Sequence, residues 1–410
     1  KEHAEQTMMD KATILFVDDH QEVINGLNRI CRSMRHQWKP FFALGGEQAI
    51  EMISRQKFDL LVTDISMPSI DGVEVLKKGE ELQPAMIRMV LSGQYDMAHA
   101  IASGWPVHRY LNKPCPSEIL TDTIQQALKI RLLLTNHKLQ QFIGQAKCLP
   151  SLPRIYLAIE QELKKEHASL DHIGKIISSE ITMTAKILQL ANSPFFSRGK
   201  PINSVAQAVI RLGLDIIKAL TLHVHACSDT KIIAGASIEE ITEHSIMVGK
   251  LASAIAEFEG RTPQSCADAF MAGVLHNIGT LLISSTYSCD YADAMINAHQ
   301  NKQSIWQSEQ EILGADHAMI GGYLINLWGV PSAIVKAVAY HIQPSLCPDN
   351  TPPFALTAVH AANAIIKSSH DNDKSYPLDS KHLAHISMLG RVAKWRELYQ
   401  EMAIEEATRQ

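Results

Sequence analysis

Little in this sequence would anchor it outside an ordinary cell interior. It has no C-x-x-C pair: the seven cysteines (Cys31, Cys115, Cys148, Cys227, Cys266, Cys289 and Cys347) are scattered and odd in number. They read as buried thiols in a reducing compartment, not as a disulfide framework or a zinc knuckle. Nor is there a basic excess. Lys and Arg total 38 against 43 Asp and Glu, for a net charge of −5, which leaves no basic face for bulk binding of nucleic acid. No terminal helix-turn-helix with a basic reading face is visible, so direct DNA binding is not expected. No apolar run approaches the ~18 residues of a membrane span. The charged opening (Lys1, Glu2, Glu5) does not read as a signal peptide. There is no internal repeat. A cytoplasmic protein without a membrane partner is the expectation.

At 410 residues, 46% of them apolar, the chain is too long for one ordinary core, and two or three domains are expected. Its organising stretch is Leu60-Leu61-Val62-Thr63-Asp64-Ile65-Ser66-Met67-Pro68-Ser69-Ile70-Asp71-Gly72. A short apolar run from Phe58 to Val62 ends in a carboxylate and then a Pro/Gly-punctuated turn. That is how a buried parallel strand delivers an acid to the carboxyl edge of a sheet, the edge where ligands sit in open α/β folds.

The same pattern recurs over residues 12–135. Ala12–Val17 is an apolar run ending in Asp18-Asp19, and an amphipathic helix follows (Val23, Leu27, Ile30, Met34). Then come a strand near Pro40–Ala43, a helix over Gly46–Arg55, the Asp64 strand and a helix over 71–80. A strand over 86–91 runs into Ser92-Gly93, and a helix covers 95–102. A last strand over 107–111 runs into Asn112-Lys113-Pro114, and a long helix starts at Ser117. Alternating strands and helices predict a parallel, doubly wound five-stranded sheet. Three carboxylates at one edge (Asp18, Asp19, Asp64) would repel unless a hard cation sits among them, and all-oxygen ligation suits magnesium. Ser92 and Lys113 could hold an anionic group on Asp64, the nucleophile of an aspartyl-phosphate reaction.

These residues resemble the receiver domain of response regulators, with its paired acids (Asp18, Asp19) and an acceptor in D-x-x-M-P-x-x-D-G (Asp64). The resemblance implies a flavodoxin-like fold, phosphorylation of Asp64, and a Mg2+ shell of Asp18, Asp19, Asp64 and the carbonyl of Ser66. It further implies Ser92 as switch hydroxyl, Tyr110 as switch aromatic, and a cis Lys113–Pro114 bond. A histidine kinase or phosphotransfer protein would be the phosphoryl donor. Residues 1–11 read as a disordered lead-in.

Over 117–150, Ile119, Leu120, Ile124, Leu128, Leu132, Leu133, Leu139 and Phe142 recur at helical spacing. The last receiver helix is therefore expected to continue as a connecting arm, with ordinary packing favoured over a dimer seam. Leu149-Pro150-Ser151-Leu152-Pro153 marks a boundary.

From Ile155 onward the periodicity is helical almost throughout, as in a bundle. The expected helices are 154–164, 169–178, 182–191, 203–211, 213–226, 238–258, 263–276, 303–313, 316–327, 331–341 and 354–368. Met183, Met247, Trp306 and Trp328 are taken as core, and the charged tail from Arg391 as a solvated surface helix. His244 inside one helix, His276-Asn277 ending another, His317 at a helix start and His341 near a helix end resemble the ligand positions of HD-type metallophosphohydrolases. The pair here is His-Asn, and the neutral Asn277, with one oxygen, cannot bridge two divalent ions as a carboxylate does. No Gly-Tyr-Pro follows His341.

Over about 145–345 the segment is similar to the HDOD output domain. The pieces that carry this are Leu149–Pro153, Leu190-Ala191-Asn192-Ser193-Pro194-Phe195, Ala208–Gly213, and His317 through Trp328-Gly329-Val330-Pro331 to Tyr340-His341. The resemblance implies an HD-related all-helical domain over 150–345, followed by a helical extension over 346–410. It implies a degenerate HD site (His244, His276, Asn277, His317, His341) and output by protein interaction with a downstream signalling protein, with a homodimer left open. Two rival functions stand beside it: a metal-dependent phosphodiesterase acting on a cyclic dinucleotide, with residual divalent metal in the helical domain, and a nucleotide-binding sensor.

Overall fold

The structure, a computed structural model, describes residues 11–92, 107–133, 154–163, 165, 168–178, 183, 187, 191, 204–228, 238–328, 330–370 and 376–407. The chain divides into two compact units, the first made mainly of residues up to Leu152 and the second mainly of residues from Pro153 onward.

The first unit is a five-stranded sheet of β1 (Ala12–Asp18), β2 (Trp38–Leu44), β3 (Leu60–Thr63), β4 (Ile87–Ser92) and β5 (Arg109–Asn112), in the order β2-β1-β3-β4-β5. All pairs are parallel, as βαβ alternation requires. The helices described are α1 (Gln21–Cys31), α2 (Gly46–Arg55), α3 (Gly72–Leu82) and α4 (Ser117–Leu133). Strand order reverses between β1 and β3, the place where an open α/β sheet forms its crevice. In β1 and β3 the residues Ile14 to Val17 and Leu60 to Val62 are almost wholly buried, because helices cover both faces. The expected helix over 95–102, the lead-in over 1–10 and the arm beyond 133 lie outside the described residues.

The second unit is helical. Its described helices are α5 (Arg154–Leu163), α6 (Leu170–Ser178), α7 (Val205–Leu212), α8 (Leu214–Ser228), α9 (Ile238–Phe258), α10 (Pro263–Leu275), α11 (Ile278–Thr286), α12 (Ser288–Asn301), α13 (Ile305–Ile312), α14 (His317–Leu327), α15 (Ser332–Tyr340), α16 (Phe354–His370), α17 (Ser380–His385) and α18 (Val392–Ala407). The helix expected over 182–191 is only partly among the described residues. Three helices were not expected: α11, α12 and α17. In α11 the run Ser284-Ser285-Thr286 and Gly279 weaken intrinsic helix preference, and burial of Ile278, Leu281 and Ile283 overrides it.

Four expectations need correction. Of the five cysteines whose side chains are described, only Cys31 is buried; Cys115, Cys266 and Cys347 are partly exposed, and Cys289 is open to solvent. The tail helix is exposed over most of its surface, as expected, but it is not solvated all round. On α18 Trp395 is fully buried and Tyr399 nearly so, and the Trp395 indole N–H and Arg391 Nε–H both donate to Glu259 Oε1, each at 2.9 Å. A charged sequence thus hides a narrow apolar stripe with a two-donor anchor. Residues 263–284 are apolar and long enough to pass as a membrane span, yet 72% of that window is buried within the fold, and the helix is interrupted at His276-Asn277. Met183 and Trp328 are core, whereas Met247 and Trp306 are only half-buried.

Candidate functional sites

At the carboxyl edge of the sheet, β1 ends at Asp18 and β3 delivers Asp64. Register puts Val17 opposite Thr63, and the Asp64 amide donates to the Val17 carbonyl at 2.9 Å, so the two acids emerge side by side. Both are largely buried. Lys113, just past β5, bridges them, its ammonium donating to Asp18 Oδ2 at 2.8 Å and to Asp64 Oδ2 at 2.6 Å. Burial works against charge on Lys113, but the hydrogen bonds and negative charge of Asp18 and Asp64 outweigh it, and its pKa is raised. Asp64 Oδ1 accepts from the Ile65 amide at 2.7 Å. The Lys113–Pro114 bond is cis.

Two further features shape the pocket. Gly72 begins α3 so close to the strand end that a Cβ there would lie 1.9 Å from the Asp64 carbonyl oxygen, so a side chain at 72 would dislodge the acid-bearing turn. Asp71 caps α3, accepting from the Glu74 amide at 2.9 Å. The Asp-Gly of the motif thus sets the backbone around Asp64. Asp19 is half-exposed, and its Oδ1 pairs with His20 Nδ1 at 2.8 Å. Asp18, Asp19 and His20 place ligand atoms within 4.8 Å of one another. Sequence reasoning passed over His20. The oxygen-rich set of Asp18, Asp19 and Asp64 fits a hard divalent cation. Ser66 is exposed in the loop two residues past Asp64. Ser92 ends β4 in register with Asn112, and Tyr110 lies in β5 beside Val90; the side chains of Ser92 and Tyr110 lie outside the described residues.

In the helical unit the four flagged histidines come together from four places. His244 is on α9, His276 caps the end of α10, His317 opens α14, and His341 follows α15. Ring centroids are 5.4 Å apart for His244–His276, 5.0 Å for His276–His341 and 5.6 Å for His317–His341. Close backbone approach makes this possible: a Cβ on Gly279 would meet the His317 carbonyl oxygen at 1.9 Å. Asn277 turns aside, its amide donating weakly to Ser245 Oγ at 3.4 Å.

The cluster is tuned by neighbours that the sequence did not reveal. His276 Nδ1–H donates to the Gly273 carbonyl at 2.6 Å, and His341 Nδ1–H to the Val338 carbonyl at 2.8 Å. Glu309, fully buried on α13, accepts from both the backbone amide (2.9 Å) and the Nδ1–H (2.7 Å) of His317. Asn363, on α16, pairs through Oδ1 with His244 Nε2 at 2.9 Å. Burial, then the neighbouring histidines, hold His276 well below the usual imidazole range, and burial with His317 pushes His341 down to about 3. For His317 burial also disfavours charge, but the Glu309 carboxylate prevails and the pKa rises. A lone amide in the Ala-rich run of α16 was the available sign for Asn363. Glu309, amid other acids and glutamines, carried none.

Family comparisons cover both units. Residues 14–125 match the family model of the response regulator receiver domain, and residues 149–344 match that of the HDOD domain. The chain is a receiver domain followed by an HDOD domain. An uncharacterized protein of Treponema pallidum (strain Nichols) is 24% identical over 219 residues, 52% of this chain and 41% of its own length. The hydrogenase transcriptional regulatory protein HoxA of Cupriavidus necator is 31% identical over 125 residues, 30% of this chain and 25% of HoxA. The chain therefore spans less than half of either relative. A solved structure from Shewanella amazonensis SB2B, described as a candidate phosphohydrolase, is 20% identical and covers 67% of this chain and 97% of its own, with a TM-score of 0.51. That likeness is one of fold.

Proposed function

We propose that the protein is a response regulator in which Asp64 accepts a phosphoryl group from a histidine kinase or phosphotransfer protein. The state of Asp64 then controls a non-catalytic HDOD domain that acts by binding a downstream protein. The observation that carries the first half is the Asp18–Lys113–Asp64 bridge at 2.8 and 2.6 Å. An Asp64 oxygen would attack phosphorus while the phosphorus–nitrogen bond of a phosphohistidine breaks, the freed imidazole taking up a proton. Mg2+ held by Asp18, Asp19, Asp64 and the Ser66 carbonyl would supply charge neutralisation at the transferring oxygens. Lys113, released from its acids, would pair with the new phosphoryl oxygens, and Ser92 would donate its hydroxyl to them. Tyr110 would follow Ser92 inward, altering the face formed by the last strand and its flanking helices. The added charge is about −1.5 to −2, and a coupling of ~1–3 kcal/mol suffices for such a switch.

The non-catalytic reading rests on Asn277 and Asn363. Both positions at the rim of the histidine cluster carry neutral amides, and neither can bridge two divalent ions. Domain boundaries of 12–135 and 150–345, with a cytoplasmic location, go with this reading. The test is Phos-tag electrophoresis after acetyl phosphate and Mg2+, followed by capture of partners with and without beryllofluoride. A shifted band absent in Asp64→Asn, together with fluoride-dependent capture, supports the proposal. An unlabelled wild-type protein overturns it, and turnover of a cyclic dinucleotide by the purified protein would return the enzyme reading.

A further inference from the structure

Aromatic contacts in the helical unit run in series through the histidine cluster. From His244 to His276, His341, His317 and then Tyr376, successive ring centroids lie 5.4, 5.0, 5.6 and 6.5 Å apart. Tyr376 is thus the end member of the row. His317 is buried, whereas Tyr376 is only half-buried, so the phenol ring lies between this end of the cluster and solvent. The Lys367 ammonium stands over the Tyr376 ring, 5.7 Å from its centroid, a cation–π contact that holds the ring in place. The root of the same segment is fixed at Asp379. Its amide donates to His360 Nε2 at 2.8 Å, its Oδ2 accepts from the Ser345 amide at 2.9 Å, and its Oδ1 accepts from the His382 amide at 3.1 Å. His360 in turn donates through Nδ1–H to the His341 carbonyl at 2.8 Å, which ties that root to the cluster itself. His360, Asn363 and Lys367 follow at three- and four-residue spacing along α16, and so share one face of the helix.

We propose that Tyr376–Asp379 is a strap that closes the histidine pocket at its His317 end and controls when small molecules reach the cluster. Two opposed effects make the closure adjustable. The closed form leaves the buried Nε2 atoms of His276 and His341 without a hydrogen-bond partner, and each such acceptor forgoes a bond that water would make. Opening restores those bonds but gives up the Lys367–Tyr376 contact and the burial of the ring against His317. Opposed terms of similar size are what a local opening equilibrium needs. His360, Lys367, Tyr376 and Asp379 all lie beyond residue 344, where the HDOD match ends, so the closure comes from outside the matched segment. The strap is independent of Asp64 and of the receiver's cation site.

Diethyl pyrocarbonate acylates neutral imidazole, and on the full chain near pH 7 it reads the opening by peptide mass spectrometry. Burial holds His276 and His341 below the usual imidazole range, so access alone limits their reaction. In the wild-type protein both should react far more slowly than exposed His299. Tyr376→Ala should speed His341 about 10-fold, and His276, one ring further in, by less, while circular dichroism stays helical. Tyr376→Phe should keep the protection, since the ring and not the hydroxyl covers the site. Lys367→Met should speed His341 about threefold. Wild-type rates matching that of His299 overturn the proposal, as does an unchanged His341 rate in Tyr376→Ala or an equal rise at His276 and His341. If Tyr376→Ala does not fold, an unchanged rate in Lys367→Met overturns it alone.

Discussion

The two polar clusters of this molecule solve opposite problems. In the receiver domain, acids of like sign are crowded at an open sheet edge and held by one ammonium, Lys113. In the helical domain, imidazoles gather among helix ends, His276 and His341 held by backbone carbonyls and His317 by one internal carboxylate, Glu309. The first arrangement suits a change of charge, since the part-exposed Lys113 can carry its charge from the two buried acids to a new anionic group. The second resists charge, because an ion brought inside must be matched by neighbours. One protein therefore keeps its reactive electrostatics at a rim and its quiet donors in a core.

Breaking that contrast should show most clearly at Asp64. Asp64→Asn removes the nucleophile, and labelling by acetyl phosphate should fall from readily detectable to none while the helical unit melts unchanged, as read by intact-mass spectrometry and calorimetry. Next in size is Trp395→Ala on α18, which deletes a fully buried indole and should cost the helical unit about 3–5 kcal/mol, leaving Asp64 labelling intact. Urea melts that assign the loss to the receiver would reverse the comparison. Lys113→Met should destabilise the receiver by about 2 kcal/mol, because Asp18 and Asp64 are left facing each other. Millimolar Mg2+ should restore most of it, which a thermal shift with and without the ion would read. The smallest effect is at Glu162, whose carboxyl is held down to about 2, chiefly by Lys165, with Ser169 and His172 assisting. A lowered carboxylate pKa adds stability above the unfolded value near 4.5 that is lost as pH falls toward 2. Glu162→Gln should therefore flatten the acid limb between about pH 4.5 and 2 and leave the slope near neutrality alone.

The clusters also differ in how far they could be read from the chain. Asp18, Asp64, Ser92 and Lys113 each end a strand or directly follow one, so local punctuation announces them, and parallel register brings them to one edge without further information. His244, His276, His317 and His341 were found as members of a pattern. Their convergence depends on helix crossings between segments about 100 residues apart, which no window of sequence encodes. Asn363 was missed for that reason, since it matters only through a partner 119 positions away; Glu309, only 8 positions from His317, was missed because nothing set it apart from the acids and glutamines around it. The error over α18 has the same origin, since Trp395 and Tyr399 mark a buried stripe only once Glu259 is opposite.

That last contact bears on how fragments of this protein should be cut. The segment that matches the HDOD family stops at residue 344, yet Asn363, which braces His244, and the Trp395–Glu259 clasp both lie beyond it. A piece trimmed at the family boundary would bare the sides of α9 that α16 and α18 cover, and would be sticky and poorly behaved. Recombinant versions of the output half ought to run through Ala407.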